Sequence, residues 1–130
     1  MTSTGKILVV DDEKLLRKAL KDKLSSEGFD VLEAKDGEEG LKKALSEHPD
    51  LILLDVMMPK MDGTEVVKKL QEDKWGKNVK IIMLTNVSDP VKVAEATEAG
   101  SQNMTVYDYM IKSDWKLEEV VERVRTKLEK

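Results

Sequence analysis

Three unbroken apolar runs of four residues constrain this chain most: Ile7–Val10, Leu51–Leu54 and Ile81–Leu84. Runs that short, with no polar alternation, suit strands covered on both faces, as at the centre of a parallel sheet. Phe29–Ala34 and Tyr107–Ile111 mix apolar and polar residues and read as edge strands. Between the strands the spacing is helical. Lys14–Glu27 places Leu15, Leu16, Ala19, Leu20 and Leu24 on one stripe, with Gly28 as its stop. Glu38–Glu47 and Thr64–Glu72 carry shorter stripes, and Asp89-Pro90 opens a segment running to about Ala99 before Gly100. Lys116–Glu129 has the clearest period, through Leu117, Val120, Val121, Val124 and Leu128.

Five β-α repeats predict an α/β fold: a doubly wound parallel sheet of five strands with five helices on its two faces. Three buried strands and two edges, joined by right-handed crossovers, agree with the strand order 2-1-3-4-5. The 130 residues make one domain, with a core from about Lys6 to Leu128. No linker, repeat or low-complexity stretch divides it.

Composition excludes several classes. The chain has no cysteine, so disulfides and thiolate metal sites are impossible. No apolar run approaches the roughly 18 residues of a membrane span, and the amino terminus lacks a signal-peptide pattern. The net charge is −4 with basic residues scattered among acids, which disfavours direct nucleic-acid binding. A cytoplasmic protein is expected. No effector sequence follows Lys130, so the chain reads as a stand-alone regulator or a piece of a longer protein.

The chemistry lies where the strands end. The first buried run leads into Asp11 and Asp12, the second into Asp55, the third into Thr85, and the last strand into Lys112. Open α/β sheets bind ligands beyond the carboxyl ends of their strands, near the switch in strand order. Here that switch falls between strands one and three, which carry the aspartates. Each residue alone has a plain reading as a turn or cap; their joint placement at four strand ends is harder to ascribe to chance. Three close carboxylates repel one another, and a hard divalent ion such as Mg²⁺ relieves that. Lys112 supplies a compact cation for a phosphate oxygen. Asp55, at the end of the central strand, is the candidate nucleophile toward phosphorus. Thr85 and nearby N–H groups complete the offset of phosphoryl charge.

With these residues placed, the chain resembles the response-regulator receiver domains of two-component signalling. The resemblance rests on ILVVDDE at Ile7–Glu13, LILLDVMMPKMDG at Leu51–Gly63, IIMLT at Ile81–Thr85 and DYMIK at Asp108–Lys112. It implies a flavodoxin-like fold and a phosphoacceptor at Asp55. It implies Mg²⁺ ligands at Asp12, Asp55 and the Met57 carbonyl, with Asp11 acting through water. Thr85 matches the switch hydroxyl, Tyr109 the aromatic that turns with it, and Lys112 the family lysine. The implied partners are a sensor histidine kinase or phosphotransfer protein, or a small acyl phosphate as donor, and an output partner the sequence leaves unnamed. Such a protein is a signalling receiver rather than an enzyme acting on other substrates.

Three positions depart from the family pattern. Ser113 stands where proline is common, Asn86 where a small residue is common, and about five extra residues, around Ser101–Val106, precede the last strand. The extra segment predicts an altered partner surface. Pro59 and Gly63 read as a rigid turn and a flexible hinge in the loop after Asp55. His48, the single histidine, reads as a loop residue.

Rival readings remain. A phosphatase of the haloacid dehalogenase type needs an aspartate two residues after its nucleophile, where this chain has Met57. A receiver that binds partners without phosphorylation is disfavoured by the filled polar positions. A flavin carrier is disfavoured by the acidic Asp11-Asp12-Glu13 loop.

Overall fold

The computed structural model describes residues 5–56, 58, 61–85, 107–111 and 116–129. Five parallel strands form one sheet: β1 (Lys6–Val10), β2 (Asp30–Ala34), β3 (Leu51–Asp55), β4 (Lys80–Thr85) and β5 (Tyr107–Ile111). Their order is β2-β1-β3-β4-β5, the order expected from the two polar edges. Four α-helices lie among the described residues: α1 (Lys14–Ser26), α2 (Gly37–Glu47), α3 (Gly63–Gln71) and α4 (Leu117–Glu129). The helix expected over Pro90–Ala99 and the Ser101–Val106 segment lie outside them.

Alternation along each strand divides the core. Ile7, Val9, Leu51, Leu53, Ile82 and Leu84 pack with α1 and α4 through Leu20, Leu24, Val120 and Val124. Leu8, Val10, Ile52, Leu54, Ile81 and Met83 pack with α2 and α3 through Ala44, Val66, Val67 and Leu70. Both faces are therefore apolar, which is why the central runs carry no polar residue. The β2 edge is only partly covered, in keeping with its mixed composition.

The helix ends follow their local chemistry. After α1, Gly28 adopts φ 96°, a conformation a side chain would strain. Its N–H donates to Ser25 O and that of Phe29 to Leu24 O, the paired bonds of a Schellman stop. Asp36 caps α2 by accepting from Glu39 N at 2.8 Å. Asp62 caps α3, accepting from Glu65 N at 3.1 Å and from the Thr64 hydroxyl at 2.6 Å.

Two local features were not expected. A 3₁₀ turn at Gly76–Asn78 leads into β4, its entry held by Asp73, which accepts from Trp75 N and Gly76 N. His48 ends α2 in the left-handed region, φ 48°, and stacks on Trp75 with ring centroids 4.3 Å apart.

Candidate functional site at the carboxyl ends of the strands

The register builds the site. Val10 of β1 pairs with Leu54 of β3, so Asp11 and Asp55 follow side by side on neighbouring strands. One carboxylate oxygen from each of Asp11, Asp12 and Asp55 lies within 4.8 Å of the others. Asp11 is fully buried, Asp55 nearly so, and Asp12 is exposed. The cluster thus opens to solvent on the Asp12 side.

Backbone contacts hold these residues in place. Asp11 N donates to Ala34 O at 3.1 Å, extending the β1–β2 pairing by one residue. Asp11 Oδ1 accepts from Glu13 N at 2.9 Å, which turns the chain toward α1. Asp55 pairs with Leu84, and Val56 N then donates to Leu84 O at 2.9 Å. The chain returns at once, with Gly63 N donating to Val56 O at 2.8 Å.

Gly63 corrects one expectation. It is the first residue of α3 rather than a hinge, and Gly28 is the only described glycine with positive φ. What it supplies is space: a Cβ there would stand 2.4 Å from Asp55 O and 2.9 Å from the Val56 Cα. The absent side chain lets α3 start against the backbone that carries Asp55.

The donor set suits a hard divalent cation. Opposite ligands of an octahedral Mg²⁺ at 2.0–2.1 Å lie about 4.2 Å apart. Neighbouring ligands lie about 2.9 Å apart, so three carboxylate oxygens within 4.8 Å of one another are near enough to share one ion, directly or through a bound water. Burying carboxylates together without a cation is costly, and oxygen-only ligands exclude the softer metals.

The other predicted site residues are placed to different degrees. Thr85 ends β4, one position beyond the partner of Asp55, and pairs with Ile111 of β5. Tyr109 pairs with Met83 in the same ladder. Met57, Pro59, Asn86, Lys112 and Ser113 lie outside the described residues. The structure therefore brings together Asp11, Asp12 and Asp55, with the β4 and β5 backbones arriving beside them.

One residue near the site escaped the sequence reading. Arg17, on the first turns of α1, donates from Nη1 to the Asp11 carbonyl at 2.8 Å. Its signal was a helix start rich in cations, with Lys14 and Arg17 and no acid in the first turn. That arrangement opposes the helix dipole and so calls for another cause.

A separate cleft of about 440 Å³, lined by Gly5, His48, Asp50, Trp75 and Lys80 among others, opens at the amino ends of the strands. It is remote from the carboxylates. Chemistry, rather than depth, marks the functional end of the sheet.

A doubly wound sheet with an acidic cluster at its strand-order switch defines a class, and the comparisons agree. The response regulator receiver domain family matches residues 7–125, and the chain belongs to that family, the receivers of two-component signalling. Among relatives, the alkaline phosphatase synthesis transcriptional regulatory protein PhoP of Bacillus subtilis is 47% identical over 107 residues, covering 82% of this chain and 42% of PhoP. The transcriptional regulatory protein ResD of the same organism is 40% identical over 127 residues, covering 98% of this chain and 49% of ResD. The chain thus spans about half the length of these relatives or somewhat less. Among solved structures, the chemotaxis protein CheY4 of Vibrio cholerae superposes with a TM-score of 0.82 at 31% identity, over 95% of this chain and 98% of that one. The BeF3-activated DrrB receiver domain gives 0.79 at 31% identity, over 97% and 98%. Among the described residues no helix is long and apolar enough to cross a membrane.

Proposed function

We propose that this receiver takes a phosphoryl group on Asp55 and relays that event to a partner through a shift in the β4–β5 end of the sheet. The convergence of Asp11, Asp12 and Asp55 at the switch in strand order carries this reading. Asp12, Asp55 and the Met57 carbonyl would hold Mg²⁺, with Asp11 through water. When bound, the ion supplies positive charge against the carboxylates and the phosphoryl oxygens.

A carboxylate oxygen of Asp55 attacks phosphorus in line, forming a P–O bond as the bond to the donor breaks. The donor is a phosphohistidine of a sensor kinase or phosphotransfer protein, whose imidazole leaves, or an acyl phosphate, whose carboxylate leaves. Lys112 and the Thr85 hydroxyl take up phosphoryl oxygens from the two neighbouring strands. The acyl phosphate adds nearly two negative charges. Thr85, Lys112 and Tyr109 move with it and bias a two-state equilibrium. A complete swing from 1:99 to 99:1 needs about 5.5 kcal/mol. The domain spans the whole chain, acts in the cytoplasm and turns over no other substrate. PhoP and ResD are transcriptional regulators by name, so a transcriptional output is one this receiver can serve.

The test is incubation with acetyl phosphate and Mg²⁺, followed by intact-mass measurement. The wild-type chain should gain one phosphoryl group, and should gain none with chelator or as Asp55→Asn. An unmodified wild type, or a modified Asp55→Asn, would overturn the proposal.

A further inference from the structure

We propose that Arg17 is a positioning residue for the divalent site, setting the peptide between Asp11 and Asp12 through its bond to the Asp11 carbonyl. The inference rests on the metal reading given under Proposed function. The guanidinium is mostly buried and spans two elements. Nη1 donates to Asp11 O at 2.8 Å, and Nε faces Glu33 Oε1 on β2 at 3.4 Å. Glu33 is itself held: Lys21 Nζ faces its other oxygen at 3.4 Å, and Lys43 Nζ donates to its backbone carbonyl.

The Asp11 carbonyl belongs to the peptide joining the two acidic residues. Asp11 N is already fixed by Ala34 O and Asp11 Oδ1 by Glu13 N. Those bonds restrain the chain on either side of the Asp11–Asp12 peptide, and the Arg17 bond acts on the carbonyl of that peptide itself. The direction of that carbonyl sets how the chain presents Asp12, the exposed member of the trio. Arginine suits the task, because its planar fork satisfies the carbonyl and Glu33 from one rigid group. Groups behind first ligands commonly tune metal affinity in this way.

A cation near a metal site invites the opposite expectation. If Arg17 acted through its charge, its removal would relieve repulsion and tighten Mg²⁺ binding. If it acts by orientation, its removal weakens binding. The pairing with Glu33 offsets the guanidinium charge beside the cluster, which favours orientation.

The experiment titrates MgCl₂ into the full chain by calorimetry, with Mn²⁺ followed by electron paramagnetic resonance as an independent readout. Urea melts of each variant report folding. Arg17→Gln should weaken the ion about tenfold. Arg17→Lys should recover part of the loss, since one ammonium cannot hold both acceptors. Glu33→Gln, a change at a partly exposed position, should weaken binding less than Arg17→Gln and tests the tether should that variant not fold. Tighter binding in Arg17→Gln would overturn the proposal. So would unchanged affinity, even alongside a lower urea midpoint. A wild-type chain that binds neither ion would instead sink the metal reading beneath it.

Discussion

Gly63→Ala tests how closely α3 is packed against the end of β3. The new Cβ would sit 2.4 Å from Asp55 O, 2.9 Å from Val56 Cα and 2.9 Å from Met83 Cε. Two of those atoms are backbone, and ordinary contact begins near 3.4 Å, so α3 and the end of β3 must separate by close to an ångström. Overpacking of this kind costs about 1–3 kcal/mol. The helix propensity that alanine returns, at most about 1 kcal/mol in a helix interior, is small at this first helical position. The net expectation is a loss of about 1–3 kcal/mol. Unfolding entropy near 2.1 cal/mol/K per residue gives about 0.27 kcal/mol/K for 130 residues, so the melting temperature should fall by about 4–11 °C. A displacement of that size at Asp55 should also slow acyl-phosphate formation by up to about a hundredfold. Gly5→Ala is the control. Its nearest neighbour is a leucine methyl at 3.3 Å, a side-chain tip that can move. Urea melts and phosphorylation by acetyl phosphate would measure both. Should Gly63→Ala match the wild type in stability and phosphorylation rate, the close approach of α3 to Asp55 is wrong.

Two further predictions concern the scaffold. Leu53→Ala removes a fully buried side chain from the α1–α4 face of the central strand and should cost about 2–5 kcal/mol in a urea melt, with an unchanged slope; a cost under 1 kcal/mol would contradict the packing. Asp62→Ala removes the α3 cap and strands the buried Thr64 hydroxyl, for a loss of about 2–3 kcal/mol, whereas Asp62→Asn should retain most of the stability and the Glu65 amide protection seen by hydrogen exchange. Equal losses in the two variants would show that the side-chain oxygen is not the cap.

Much of the architecture was legible because burial writes itself into local patterns. Ile7–Val10, Leu51–Leu54 and Ile81–Leu84 lack polar residues because both sides of each strand face packed helices, and β2 mixes them because it is an edge. Gly28 was readable as a stop because only glycine takes its positive φ without strain. Asp11, Asp12 and Asp55 were readable as a set because a parallel sheet brings its carboxyl ends to one side.

The misreadings share a cause. Gly63 looked like a hinge because sequence shows that a side chain is missing, not whether the gain is freedom or room. Leu15 was read into the inward stripe of α1, yet it is exposed, because periodicity alone does not settle how a helix is rotated over the sheet. Arg17 went unread because its partners, the Asp11 carbonyl and Glu33, come together only when α1 is laid against β1 and β2.

By itself, then, the chain's order of residues determined the number of strands, their burial and the end of the sheet that carries acid, since each depends on periodicity and strand direction. Tertiary structure alone decided that one carboxylate oxygen from each acid lies within 4.8 Å of the others, that α3 begins against Asp55, and that an arginine holds the peptide between two acids. Those facts turn on register and on the rotation of each helix over the sheet, which are set by packing between segments distant in the chain.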